Sequence, residues 1–220
     1  SEWPADGPKI LWKAKVGMGF SAIVVANGRA YTQGNTRDVD TIFCFDANNG
    51  TSLWKHTYAA PLDPKYYEGG TSATPTVDGD RVYTVSKRGL IHCLNAADGK
   101  VVWATNLMAG LQVKMPTWGF AGSALIEGDL VILNLGGAGT ALDKRTGKVV
   151  WTSGLEEAGY STPVPVEIAG ERAVLLALQE AVAAVKVKDG KALWRFPWKT
   201  QYDVNADDTL LGGTKVLVSS

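Results

Sequence analysis

The sequence predicts an all-β protein: a β-propeller of four-stranded antiparallel blades, in one domain over residues 1–220 and forming part of a ring. Three observations carry this. First, an eleven-residue unit recurs as CFDANNGTSLW (44–54), CLNAADGKVVW (93–103), ALDKRTGKVVW (141–151) and AVKVKDGKALW (184–194). A small residue opens each copy, a Gly (Gly50, Gly99, Gly147, Gly190) follows six positions later, and a Trp (Trp54, Trp103, Trp151, Trp194) four after that. Second, these tryptophans are 49, 48 and 43 residues apart, and Trp12 lies 42 before Trp54 as the end of a fifth unit. A period in the forties marks a propeller or a solenoid. Third, two strand-like runs separated by Asp/Asn-Gly-type turns precede each unit, which helical repeats of this period lack.

Taken in order, residues 9–16 read as a blade-closing Trp strand. Blades follow at about 20–58, 71–107, 122–153 and 160–196, with a partial blade at 204–220. In the second blade SATPTVDG (72–79) and RVYTVSKRG (81–89) supply the first two strands, and in the third SALIEG (123–128) and LVILNLGG (130–137). Within the unit, Leu142-Asp143 and Val149-Val150-Trp151 flank a turn whose Gly147 takes the positive φ that closes a hairpin. AVLLALQEAVAAV (173–185) suits a helix by composition. The repeat register overrides this, with 173–178 as a second strand, Gln179-Glu180 as a turn and 181–187 as a third strand. Residues 205–213 and 214–220 match a first and a second strand. Closing a ring from both termini then leaves a blade without its third strand and with unpaired backbone groups. The expectation is a larger ring, cut short here or completed by another chain.

The residues inside the unit have separate tasks. Trp offers a large apolar surface between blades and an indole N–H that needs an acceptor, so Trp12, Trp54, Trp103, Trp151 and Trp194 read as inter-blade packing. The first position, Cys44, Cys93, Ala141 or Ala184, faces a crowded layer where bulk would overpack. Equivalent positions on neighbouring blades are roughly 10 Å apart, beyond the ~7 Å Cα limit of a disulfide, so Cys44 and Cys93 are expected as free buried thiols.

Lys+Arg and Asp+Glu both number 22, so no net field recruits nucleic acid or an anionic membrane. The longest apolar run, 173–185, is broken by Gln179 and Glu180 and falls short of the ~18 residues of a membrane helix. No transmembrane segment is expected. The opening SEWPADGP has neither a basic n-region nor an apolar h-region, as in a mature exported protein whose signal peptide has been removed. DVNADD (203–208) starts like a calcium loop but has Asp208 in place of Gly and Thr214 in place of Glu, which excludes an EF-hand. LGGAGT (135–140) lacks the Gly-Lys-Ser/Thr of a phosphate loop. With only His56 and His92, a His-rich metal site is excluded, and both read as strand or surface residues. No Gly-x-Ser-x-Gly elbow occurs.

The long connections after each Trp strand carry the candidate site. They read TYAAPLDPKYYEGGT (57–71), TNLMAGLQVKMPTWGFAG (105–122), TSGLEEAGY (152–160) and FPWKTQYDVN (196–205), and they gather on one face around the central channel. The candidate binding surface is Tyr66, Tyr67, Glu68, Trp118, Phe120, Tyr160, Trp198 and Tyr202. Aromatic rings with scattered charge on loops of a rigid scaffold suit recognition. The competing structural role is to plug the channel mouth and cover the blade tops.

The unit A-x-D-x-x-T-G-K-x-x-W, matched by Ala141, Asp143, Thr146, Gly147, Lys148 and Trp151, resembles the tryptophan-docking repeat of the PQQ-like-repeat (quinoprotein-type, BamB-like) propeller family. Asn95 and Lys186 replace the Asp in two other copies. Segments 115–131 and 157–168 are similar to exported propellers of planctomycete-type bacteria. The resemblance implies a non-catalytic exported scaffold or binding module, periplasmic or extracellular and without a cofactor. Its loop face would hold a protein or an extended ligand. The same family includes dehydrogenases that bind pyrroloquinoline quinone (PQQ) beside calcium under a vicinal Cys-Cys disulfide. Cys44 and Cys93 are not adjacent, and no segment supplies the calcium-holding set, so no catalytic, cofactor or metal residue is assigned. A PQQ-dependent oxidoreductase is the alternative, and carbohydrate binding on the aromatic face a third reading. Fold alone carries no activity.

Overall fold

Alternation of side chains across each strand gives every sheet two buried faces, one for each neighbouring blade. The computed structural model describes residues 4, 7–65, 67–154, 158–200, 205–206, 208–212 and 215–218. Blade one is β1 (Val24–Ala26), β2 (Arg29–Asn35), β3 (Val39–Asp46) and β4 (Ser52–Ala59), hydrogen-bonded in chain order. Blade two is β5 (Thr76–Asp78), β6 (Arg81–Val85), β7 (Leu90–Asn95) and β8 (Val101–Asn106). After the single helical turn α1 (Leu107–Leu111), blade three is β9 (Leu125–Glu127), β10 (Leu130–Leu133), β11 (Thr140–Asp143) and β12 (Val149–Thr152). Blade four is β13 (Val164–Ile168), β14 (Glu171–Ala177), β15 (Ala181–Lys186) and β16 (Ala192–Pro197), and a two-stranded sheet of β17 (Leu210–Gly212) and β18 (Lys215–Leu217) follows. All these pairings are antiparallel. The molecule is thus a partial β-propeller, as the repeat predicted. The Ala/Leu-rich run forms β14 and β15, because pairing with neighbouring strands outweighs a weak intrinsic helix preference.

Two elements depart from the sequence reading. Residues 9–16 carry no strand, and among the described residues no strand pairs with them. Instead Trp12 and Val16 pack on the outer face of blade one, against Ala30, Phe43 and Phe45. The helical turn α1 interrupts what was read as continuous loop. Asn106 caps its start by accepting from the Ala109 N–H at 3.0 Å, and Gln112 ends it in the left-handed region at φ 55°.

One joint recurs between blades. The small first residue of each unit pairs directly with the Trp: Cys44 with Trp54, Cys93 with Trp103, Ala141 with Trp151, Ala184 with Trp194. The register shifts immediately after that small residue in all four blades. The indole N–H of Trp12, Trp54, Trp103 and Trp151 donates to the carbonyl of Ala47, Ala96, Lys144 and Val187 respectively, at 2.9–3.0 Å. Three residues beyond each carbonyl sits the unit's Gly. A Cβ on Gly50, Gly99, Gly147 or Gly190 would lie 2.5–2.6 Å from the ring of the preceding Trp, and all four have φ of 70–73°. Glycine is required there twice over, by backbone conformation and by close approach. Each turn is closed from inside by the Gly N–H, which donates to the carbonyl of Asp46, Asn95, Asp143 or Lys186. The turn survives Lys186 because that bond needs only the backbone.

Two further sets of polar contacts tie the blades. Two residues before each innermost strand, a backbone N–H donates to the next blade's side chain. The links run Ala22 to Thr74, Thr74 to Ser123, Ser123 to Thr162 and Thr162 to Asp208, at 2.7–3.1 Å. At one register of the second strand, Gln33 donates its amide to the carbonyls of Ala73 and Val85, and Asn134 donates to those of Ser161 and Ala177.

Trp151 is 8% exposed and seated on the next blade, whereas Trp194 is only half-buried. Trp151→Ala is expected to cost ~3–5 kcal/mol, the range for emptying an aromatic core site, and Trp194→Ala less than half of that. Denaturant unfolding of the two variants side by side checks the difference.

Candidate functional site

The connections above the blades are fixed by cross-blade polar contacts. After β4 the chain turns back through Asp38, which accepts from the Leu62 N–H at 2.8 Å through its carboxylate and from the Ala60 N–H at 2.9 Å through its carbonyl. Asp63 is then held from blade two. The Arg88 guanidinium donates twice to Asp63 Oδ2, at 2.9 and 2.6 Å, and Lys87 Nζ donates to the Asp63 carbonyl at 2.7 Å. The Lys87 side chain is largely buried, and its ammonium lies 5.0 Å from the centroid of the Tyr67 ring. That combination of a desolvated cation over an aromatic face is worth more than the same contact in water.

From Tyr67 an aromatic arc runs across the blade tops. Phe20 lies 5.5 Å from Tyr67 on one side, and Trp118 lies 5.7 Å from it on the other. The Tyr67 hydroxyl donates to the Trp118 carbonyl at 3.4 Å, and the Tyr160 hydroxyl accepts from the Trp118 N–H at 3.4 Å. Lys65 Nζ adds a bond to the Thr117 carbonyl at 2.8 Å. Phe20 is exposed, while Tyr67, Trp118 and Tyr160 are half-buried. The arc therefore offers partly open apolar surface with its backbone and hydroxyl groups already engaged. Ordering it costs little further entropy on binding, which is what preorganisation supplies.

The candidate residues divide accordingly. Tyr67, Trp118 and Tyr160 come together, and Glu68 is exposed beside them. Phe120 does not belong to the surface. It is 2% exposed, its N–H donates to the Lys87 carbonyl, and its ring packs in the core between blades two and three. The close approach of residues 119–120 to blade two pulls that ring inward. Trp198 lines a different cavity of about 480 Å³, with Val182, Trp194, Phe196, Val216, Leu217 and Val218, on the outward face of blade four. Asn205 anchors it there by donating to the carbonyls of Leu178, Gln179 and Trp198. Tyr66 and Tyr202 lie outside the described residues.

Phe20 and Lys87 were missed by sequence reasoning. Phe20 stands four residues before Val24, as Tyr160 stands four before Val164, and both valines open an innermost strand. Alignment of the repeats on that strand would have found it. Lys87 carried no such signal.

Among the described residues, no group of three or more His, Cys, Asp or Glu side chains is placed to hold a metal ion. Cys44 and Cys93 are buried and free, and burial pushes both thiols up, Cys93 to about 11. No helix among the described residues is long and apolar enough to cross a membrane.

Comparison with known proteins fits this architecture. The sequence model of the family described as "Outer membrane protein assembly factor BamB" matches residues 38–219. The outer membrane protein assembly factor BamB of Yersinia pestis is 25% identical over 205 residues, covering 86% of this chain and 48% of the relative. The chain thus spans about half the length of that curated relative. The crystal structure of BamB from Moraxella catarrhalis superposes with a TM-score of 0.60 at 19% identity, covering 86% of this chain and 56% of that one. A europium-containing methanol dehydrogenase superposes with a TM-score of 0.63 at 15% identity, covering 81% and 41%. At these identities the structural likeness speaks for the fold alone.

Removing a ring separates core from surface. Phe120→Ala should lower stability by ~3–5 kcal/mol, and Trp118→Ala by less than half of that, both read from chemical denaturation. Thiol reagents should leave Cys44 and Cys93 unlabelled in the native protein and modify both after denaturation without reductant.

Proposed function

The chain belongs to the family of the outer membrane protein assembly factor BamB, and on that premise we propose that it is a non-catalytic scaffold that holds a protein or extended polypeptide on its loop face. The observation that carries this reading is the arc Phe20–Tyr67–Trp118–Tyr160, a row of partly open rings locked by contacts from one blade to the next. Aromatic side chains at low entropic cost dominate the energetics of recognition surfaces. The spacing of the rings suits an extended partner lying across several blades. Outer membrane proteins must cross the periplasm, so a factor acting in their assembly belongs there, and the same exported location is proposed for this chain.

Quinone chemistry is the less supported reading. Cys44 and Cys93 sit on different blades, and the acidic side chains of the described residues form no cluster suited to a calcium ion. Carbohydrate binding to the same arc rests on ring exposure alone.

Fluorescence titration with extended peptides taken from outer-membrane β-strands tests the proposal. Saturable binding is expected, and Tyr67→Ala combined with Trp118→Ala should weaken it at least tenfold, the loss of roughly 1.4 kcal/mol. A rise in melting temperature with PQQ and calcium, together with no peptide binding, would reverse the assignment.

A further inference from the structure

The two histidines of the chain, on different blades, meet at the first joint. His56 on β4 and His92 on β7 have ring centroids 5.0 Å apart at 66°, and the Tyr58 ring lies 4.6 Å from His92. His92 is 5% exposed. His56 Nε2 and His92 Nδ1 are both buried without a hydrogen-bond partner, as is Thr84 Oγ1 on the strand paired with His92. The same register in the other two joints holds no ionisable group: Thr105 and Thr140 in one, Ser153 and Ala183 in the other. The first joint alone brings imidazole rings together.

The layer also supports the loop face. Asn35 donates its amide both to Asp40 Oδ1 at 2.7 Å and to the Ala60 carbonyl at 2.9 Å, where the connection carrying Tyr67 begins. Asp40 pairs across the sheet with Tyr58, and Lys87, which acts on Asp40, is the residue that holds Asp63. Tyr58 from β4 packs directly on the histidines, and Asp40 from β3 and the Lys87 cation beyond β6 lie one step behind it.

We propose that His56 and His92 form an acid-sensitive joint: protonation opens the layer between blades one and two and unseats the connection that carries Tyr67. Two rings 5.0 Å apart, one of them almost fully buried, repel once both are charged. Burial, with His56 beside it, pushes His92 down to about 4, and burial lowers His56 as well. A folded-state value below the unfolded one means that stability is full above pH ~6.5 and is lost as pH falls towards 4. Asp40 works in the opposite sense, since burial raises it and its protonation favours the fold. Glu127, Asp98, Asp143 and Asp189 are held below their ordinary values by hydrogen-bonded partners, so their losses come at lower pH. From pH 7.5 to 5 the histidines lower stability and Asp40 opposes them.

Equilibrium unfolding and amide hydrogen exchange across that interval test the joint. The folding constant of the wild-type chain should fall about thirtyfold from His92 alone, with β4 and β7 amides losing protection first. His92→Phe and His92→Gln should each remove most of this pH dependence; the second serves if the first does not fold. An unchanged acid profile in whichever variant is folded at pH 7.5 overturns the proposal. Control of binding rests on the scaffold reading above, so peptide binding is measured at both pH values. Acid opening without peptide binding at either pH supports the joint and removes only the scaffold reading.

Discussion

A tryptophan seated on the glycine turn of the next blade is the contact from which the rest of this structure follows. The register shift after Cys44, Cys93, Ala141 and Ala184 comes at the residue opposite the Trp. A bulge at that place twists the outer strand and re-aims its side chain. The small residue leaves room for it, and the missing Cβ of Gly50, Gly99, Gly147 or Gly190 lets the preceding ring approach the turn. The indole N–H then reaches a part-buried carbonyl of that turn. Conformation, packing and hydrogen bonding agree at each joint, and such agreement across levels is what specifies a single arrangement.

Given that outer joint, the inner edge is set by a weaker system. The links from Ala22 through Thr74, Ser123 and Thr162 to Asp208 fix the starts of the innermost strands to one another. Each bond contributes only about 1 kcal/mol, yet together they align the loops that leave the inner edge. The aromatic arc inherits its order from this alignment. Its rings sit on separate connections, but every connection is pinned to a neighbouring blade.

The joints are not equivalent in chemistry. Those between blades two and three and between three and four are filled mainly by apolar side chains such as Leu133, Leu142, Val174 and Leu176. The first has an apolar outer half around Ile42, Val82 and Leu94, and a polar inner half with Gln33, Asn35, Asp40, His56 and His92. Repeats evolve separate interfaces on one backbone plan, so a joint can acquire responsiveness without disturbing the others.

The sequence by itself determined the fold class and the four-stranded antiparallel blades, because a blade's hydrogen bonding and turns are local and recur with a fixed period. It also placed β14 and β15 correctly, since register carries more information than the helix propensity of Ala and Leu. Tertiary structure decided the rest. Whether Phe120 faced solvent or core depended on how residues 119–120 approach Lys87, a contact between segments far apart in the chain. Whether 9–16 formed a strand depended on pairing with a segment far away in the chain. Tyr67, Trp118 and Tyr160 became one arc, and Trp198 fell in another cavity, through contacts between blades. His56 and His92 read in isolation as ordinary strand residues, and only the packing of blade one on blade two set their rings together. Periodicity is written in each repeat, but proximity between repeats is created by the joint that packs them.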